Sequence, residues 1–437
     1  MKKIPYHFSG LLAILLTVTL AGLSCTKKTD QEKQSGIVKL TYWPAANQYE
    51  INLAQQEVKE WNATHPKIQV KMQPIPASQS SEEVLLAAIA AKTTPDICSN
   101  IWPGTMGQFT RAGAVVRLDT FPDFDSLATS RVPENLLDNS RYLDGHIYQF
   151  PWKTNPVMIQ YNVDMLKKAG VDSFPKTYSD YLAVGKKVTR DLDGDGQIDQ
   201  WMSYVDVREK WWTRFFDFYP FYIAASGGKT LLNGRTVIFD NPTSVAVFRF
   251  FQMGFNTGIF PRARFQTDVF LTEKVASRFT GPWEIRHTEK YKPKDLHYDF
   301  APIPLPDGQK GHSYTYGDPK NIVIFSTCRH PKEAWQFVRF MVSRKSDLNL
   351  LKICSQLPVR KNLLRDSLFA PYFKANPRMI KFADYVPYTR GVDAVPEMKE
   401  IFDAISFEFE ACAILGKRTP KEAVHRAAER CRQILLE

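Results

Sequence analysis

The densest chemistry in the chain is the run Asp191-Leu192-Asp193-Gly194-Asp195-Gly196-Gln197-Ile198-Asp199. Carboxylates at alternate places repel one another unless a hard cation neutralises them, which is why such spacing suits calcium. Side-chain oxygens of Asp191, Asp193, Asp195 and Asp199 and the backbone carbonyl of Gln197 fit the first nine places of an EF-hand loop, with Gly196 at the turn. The twelfth place, where a bidentate glutamate closes such a loop, is Met202, with Glu209 as a substitute from further along. The alternative is an acidic surface turn without an ion. Calcium here would be structural, and the sequence calls for no other cofactor.

Tryptophan supplies the second kind of chemistry. An indole offers a flat apolar face on which the C–H groups of a ligand can pack, with a few aimed polar partners beside it. Trp43 ends the first strand, Trp102 follows a later one, and Trp152 precedes a stretch with Lys153 and Asn155. Core packing is the alternative for Trp43 and Trp102. Trp211 and Trp212 are adjacent on one helical run, so both cannot face the core, and Trp212 is assigned to the ligand. Trp335 has core spacing on its helix and reads as packing. Hydrolase and nucleotide signatures fail: there is no GxSxG and no HExxH, and the eight histidines never pair at ligand spacing. Gly228-Lys229-Thr230 lacks the first P-loop glycine, where Ile223 stands. The chain reads as a binder and not an enzyme, with a cell-surface carbohydrate-active enzyme as the weaker alternative, because a glycosidase carboxylate pair is invisible in sequence.

Met1-Lys2-Lys3, an apolar run over residues 11–20 and the mostly small Ala21-Gly22-Leu23-Ser24 make a secretory signal over residues 1–24. Its apolar part is shorter than the roughly 20 residues a spanning helix needs. Cys25 at the cleavage point resembles the lipobox cysteine of bacterial lipoproteins, although Gly22 stands where leucine is usual. An ordinary cleaved signal is the alternative. Residues 25–36 then form the lipidated cysteine and a polar, flexible tether. The protein is expected to be exported and lipid-anchored to a bacterial membrane, periplasmic or at the cell surface. The 437 residues, 44% hydrophobic and 24% charged, fit a soluble body of two or three domains. The net charge of +11 is scattered without a basic block, which argues against nucleic acid. An acidic ligand or a lysine-rich solvated surface would each account for it. The remaining cysteines are odd in number and widely spaced, so buried thiols are expected rather than a disulfide framework.

Strands are expected at residues 38–43, 68–72, 96–101, 157–161 and 321–325, alternating with helices at 49–62, 81–91, 164–169, 178–190, 210–225, 242–255, 332–342, 395–415 and 420–435. Strand and helix in alternation imply parallel sheets with right-handed crossovers, an α/β class. On residues 49–62 the periodicity places Ile51, Ala54, Val58 and Trp61 on the buried face.

Six ordered motifs carry a resemblance: Thr94-Pro95-Asp96-Ile97, the run 161–170 (YNVDMLKKAG), Pro175-Lys176-Thr177-Tyr178, Gly281-Pro282-Trp283, the run 330–335 (HPKEAW) and Leu357-Pro358-Val359-Arg360. The chain resembles the extracellular solute-binding proteins of family 1, the maltose-binding type that serves ABC importers. The resemblance implies a two-lobed periplasmic-binding-protein-like fold, with hinged parallel-sheet domains and a ligand cleft between them. Lobe 1 would hold residues 37–152 and 303–356, and lobe 2 residues 153–302 and 357–437, with crossings near 152–156, 300–303 and 357. It implies capture of a sugar or oligosaccharide for an ABC permease, by a monomer; a sugar-sensing lipoprotein is the alternative. Trp283 stands where a family tryptophan stacks on sugar. Asn155 stands where the maltose type has an acidic residue, which puts maltose itself in doubt, and the loop 44–49 lacks an acidic-and-lysine pair found there. Arg390, in a late segment returning to the cleft, is a candidate for a hydroxyl or carboxylate partner, with a surface arginine as the alternative.

Overall fold

A computed structural model describes residues 36–76, 80–138, 140–208 and 210–436. The signal segment, Cys25 and Glu209 lie outside them. The strands are β1 (Val38–Trp43), β2 (Ile68–Met72), β3 (Ile97–Ile101), β4 (Phe150–Lys153), β5 (Met158–Asn162), β6 (Trp201–Ser203), β7 (Leu232–Asn233) and β8 (Thr236–Val237). They continue with β9 (Val275–Thr280), β10 (Tyr298–Ala301), β11 (Thr315–Tyr316), β12 (Lys320–Ile324) and β13 (Thr389–Arg390).

Two α/β lobes are built on two sheets, β2-β1-β3-β12-β4 and β10-β5-β9-β6. In the first, β1 runs parallel to β2 and β3, as strand–helix alternation requires. β12, returning from the other lobe, pairs antiparallel with β3, and β4, which leads out toward the crossing, pairs antiparallel with β12. Alternate burial of Leu40 and Tyr42 on β1 turns one face of the sheet to a core with Trp61, Phe150, Trp335 and Phe337. The second lobe has a denser aromatic core, in which Phe221, Phe250, Phe251 and Phe260 pack at ring separations of 4.9–6.2 Å.

The recurring sequence motifs turn out to be caps and pins. Asp96 ties β3 to β1, its carboxylate accepting from the Thr41 backbone N–H and hydroxyl, both at 2.7 Å. Asn162 caps the helix Val163–Lys168 through Asp164 and Met165, and Gly170, at φ +72°, takes the left-handed conformation just beyond it. Thr177 caps Tyr178–Val188. Trp335 stacks on Phe121 at 5.0 Å and donates its indole N–H to Asp123 at 2.8 Å, so it is core packing. Arg360 binds Asp347 at 2.6 Å, and the buried Arg131 reaches the same carboxylate at 2.9 Å while donating to the carbonyls of Pro151 and Trp152. That buried cluster fixes β4 and the segment after Leu357 together.

Two expected helices differ from expectation. Residues 210–225 split into a 3₁₀ turn, Trp211–Phe215, and a helix, Phe218–Ala225. The break falls where the buried Arg214–Asp217 pair, 3.0 Å apart, turns the chain and Asp217 caps the second piece. The run 395–415 is the helix Met398–Phe409 followed by a π-helical turn, Glu410–Ile414. Cys98, Cys328, Cys354, Cys412 and Cys431 are all buried and unpaired. Among the described residues no helix is long and apolar enough to cross a membrane.

Three segments cross between the lobes side by side, at Thr154, Gly317 and Leu357, and β13 runs beside them. Thr154 donates its N–H to Leu357, Asn155 to Gly317, Val157 to Tyr316, and Gly317 to Arg390. Gly317 is needed there: a Cβ would sit 2.7 Å from Thr154 Oγ1 and 2.9 Å from Thr389 Cβ.

Candidate ligand site

The open parallel strands β1 and β3 end on one side of these crossings, and a cavity of about 450 Å³ lies there between the lobes. From the first lobe come Asn47, Tyr49, Glu50 and Asn100; from the crossings Lys153, Asn155, Asp318, Lys320 and Gln356; from the second lobe Asp268, Trp283, Glu284 and His287. Its size falls in the range of small-ligand clefts, about 300–1,000 Å³.

Local sequence places each wall. Asn47 caps the helix Gln48–Thr64 by accepting from Glu50 N–H at 3.0 Å, which sets Tyr49 and Glu50 at the cavity. On that helix Glu50 and Glu57 are buried along with Leu53, Ala54, Val58 and Trp61, and Ile51, expected on the inner face, is only half-buried. Trp283 opens the helix Trp283–Tyr291 and lays its ring over Gly281, where a Cβ would meet Trp283 Cζ3 at 2.1 Å. The glycine in Gly-Pro-Trp therefore lets the indole fold back and present a half-buried face to the cavity. From the same helix the Arg286 guanidinium lies 5.9 Å from the Tyr49 ring of the opposite lobe.

The floor is ionic. Lys153 Nζ donates to Glu50 Oε1 at 2.6 Å, with both side chains buried. Burial opposes the Glu50 charge, yet Lys153 together with Asn47 and Gln356 holds its carboxyl below the usual range. Asp318 goes the other way: burial pushes it up more than Lys320 and Lys153 pull it down. On the second-lobe wall Arg278 joins Asp268 at 3.0 Å and Glu284 at 2.9 Å, and His287 Nε2 stands 3.3 Å from Asp268. Burial raises Asp268, but the Arg278 charge and the N–H groups of Leu271 and Phe270 bring it below its ordinary value. Asp268, Glu284 and His287 are close enough to share a cation, but Arg278 already occupies that role.

Of the sequence candidates, Trp283 and Asn155 line this cavity. Asn155 also pins the crossings, its Oδ1 accepting from Leu357 N–H at 3.0 Å. The others sit elsewhere among the described residues. Trp102 is buried against Trp211 and Phe215, at 5.0 and 5.3 Å, and donates to Tyr316. Trp152 is buried in the first-lobe core with Lys153 over its ring. Trp43 is half-buried against the Ile75 and Leu85 cluster, because its strand position turns it to the sheet face. Trp212 is half-buried on the outside of Trp211, with Lys210 5.9 Å from its ring. Arg390 is spent on the Gly228 and Thr389 carbonyls and the Tyr314 ring, and lines a second interlobe cavity of about 840 Å³ that has no aromatic wall. Sequence reading missed Glu50, Asp268, Asp318 and Gln356. Only Glu50 left a signal, a charged residue at core spacing with Leu53, Ala54, Glu57 and Trp61.

In the acidic loop, Asp191 accepts from Gly194 and Gly196 N–H at 2.7 and 2.8 Å, and those bonds hold its carboxyl below the usual range. Gly194 and Gly196 have φ of +80° and +87°. Carboxylate oxygens of Asp191, Asp193 and Asp195 approach within 4.8 Å of one another. Asp199 instead accepts from Leu192 N–H, and Gln197 donates its own N–H to Asp195. Met202 is buried in β6 and faces the core.

A sequence profile of the bacterial extracellular solute-binding proteins matches residues 46–347. Relatives include a maltotriose-binding protein of Pyrococcus abyssi, 24% identical over 86% of this chain and 77% of that protein. An arabinooligosaccharide-binding protein of Bacillus subtilis is 23% identical over 99% of this chain and its own whole length. A solved ABC substrate-binding protein of Listeria monocytogenes, in complex with cycloalternan, superposes with a TM-score of 0.75 at 20% identity, covering 91% of this chain and 98% of that one.

Proposed function

This chain belongs to the bacterial extracellular solute-binding proteins, and we propose that it captures an oligosaccharide between its lobes and delivers it unaltered to an ABC permease. The family is extracellular, so the protein is exported. The observation that carries the reading is the interlobe cavity itself, with the Trp283 ring on one wall and hydrogen-bonding groups around it. An indole packs on a sugar face, and the polar ring takes up its hydroxyls. Relatives named for maltotriose and arabinooligosaccharide support a carbohydrate of several units. The relatives are named as binding proteins, which supports binding without turnover. Lipid attachment at Cys25 and a monomeric state belong to the same proposal, as do the lobe boundaries read from sequence.

The experiment is a thermal-melt and calorimetric screen of the mature protein against an oligosaccharide panel. One member should raise the melting temperature and bind stoichiometrically, and it should be recovered intact. Steady release of a hydrolysed product would replace this reading with that of a carbohydrate-active enzyme.

We also propose a structural calcium at Asp191, Asp193 and Asp195, completed by the Gln197 carbonyl and Asp199. Binding to the folded state alone raises stability by mass action. Calcium should lift the melting temperature and a chelator reverse it; superimposed melts in calcium and EDTA would reduce the loop to a surface turn.

A further inference from the structure

We infer that Glu50 and Gln356, at the floor of the interlobe cavity, select an uncharged saccharide and reject one that carries carboxylates. The inference rests on the carbohydrate reading and specifies its substrate class.

Charge is the first argument. The chain carries a net +11, yet the cavity wall sets four carboxylates, Glu50, Asp268, Glu284 and Asp318, against two ammoniums, Lys153 and Lys320. Both lysines of the lining, and Arg278 behind it, already face carboxylates, whereas Arg286 stands against the Tyr49 ring. Lys153 is on Glu50 at 2.6 Å, Lys320 stands 3.9 Å from Asp318, and the guanidinium of Arg278 is shared by Asp268 and Glu284. The lining itself therefore offers the ligand no net positive charge. An anionic sugar would enter a negative cavity and meet like charge.

The second argument is an imbalance of hydrogen bonds. Glu50 Oε1 collects three donors: Lys153 at 2.6 Å, Asn47 Nδ2 at 3.0 Å and Gln356 Nε2 at 3.2 Å. Its twin, Glu50 Oε2, has no partner among the described residues, and neither has Gln356 Oε1. Both side chains are more than nine-tenths buried, at 4% and 7% exposure. Unpaired buried acceptors, one of them ionised, are costly in the ligand-free protein. A hydroxyl can donate to either oxygen; a carboxylate has no proton to give. Neutral saccharide hydroxyls thus relieve the imbalance, and a uronate worsens it.

The test is calorimetry on the mature protein with maltotriose, arabinotriose and cellotriose, each beside the same trisaccharide with its primary hydroxyls oxidised to carboxylates. A neutral sugar that binds should do so at least about a hundredfold more tightly than its oxidised partner. Gln356→Met should lose about tenfold in affinity for that neutral sugar while the ligand-free melt shifts little, since it removes an unpaired acceptor along with one of the three donors on Glu50 Oε1. Gln356→Leu replaces it should the methionine variant not fold. An oxidised sugar bound as tightly as its neutral partner, or wild-type affinity in the Gln356 variant, overturns the inference. Silence across every pair instead removes the carbohydrate reading, and the inference falls with it.

Discussion

Trp102-Pro103-Gly104 and Gly281-Pro282-Trp283 spell the same three residues in opposite order, one in each lobe, and both fold an indole over a glycine. A Cβ would lie 2.2 Å from Trp102 Cη2 at position 104 and 2.1 Å from Trp283 Cζ3 at position 281. Their surroundings separate them. Trp102 is enclosed by Trp211, Phe215 and Tyr316, and its N–H is satisfied. Among the described residues Trp283 makes a single ring contact, edge-on with Phe216 at 6.1 Å, and keeps a face on the cavity. One local device thus serves as mortar between lobes in one place and as a wall of the open cavity in the other. What surrounds a residue, and not its motif, decides its role.

The largest expected effect falls on the enclosed ring. Trp102→Ala should cost about 3–5 kcal/mol of stability in urea melts, the range for emptying an aromatic site in a core. A loss under about 1 kcal/mol would mean that the Trp102 contacts are dispensable and erase the contrast. Trp283→Ala should leave the ligand-free melt within a few degrees of wild type while weakening the bound oligosaccharide about thirtyfold, or about 2 kcal/mol. Unchanged affinity there would remove the platform role. The glycines sharpen the comparison with smaller effects. Gly104→Ala forces a walled-in ring to move and should lose about 1–3 kcal/mol of stability. Gly281→Ala tilts a ring with free space beside it, so affinity should drop by about tenfold with little change in the melt. Should both glycine variants act on stability alone, Trp283 belongs to the core as Trp102 does.

Much of the fold was legible because it depends on neighbours in sequence. β1 and β2 appear at the expected bounds, and Ser80, Thr177 and Asn241, short polar residues just ahead of helical runs, all accept N–H groups of the turn that follows. Two of the candidates line the cavity: Trp283, read from the family's Gly-Pro-Trp motif, and Asn155, read from the family position of an acidic residue. Trp102, Trp152 and Trp43 were equally good candidates by residue type, yet distant aromatic partners buried them or turned them to a sheet face. Asp268, Asp318 and Gln356 gave no local sign, because each meets the cavity only when separate segments converge.

By itself, then, the sequence determined the alternation of strands and helices, the caps that end them, the family, and the loop in which three aspartates crowd. These follow from backbone hydrogen bonding and side-chain periodicity over a few residues. The tertiary structure alone decided which tryptophan faces the interlobe cavity and where many charges of a basic chain are spent. It also brought Glu50, Lys153 and Gln356 together across 306 positions of sequence. Burial and ion pairing are set by what stands opposite a side chain, and in a two-lobed protein the opposite wall comes from a remote part of the chain.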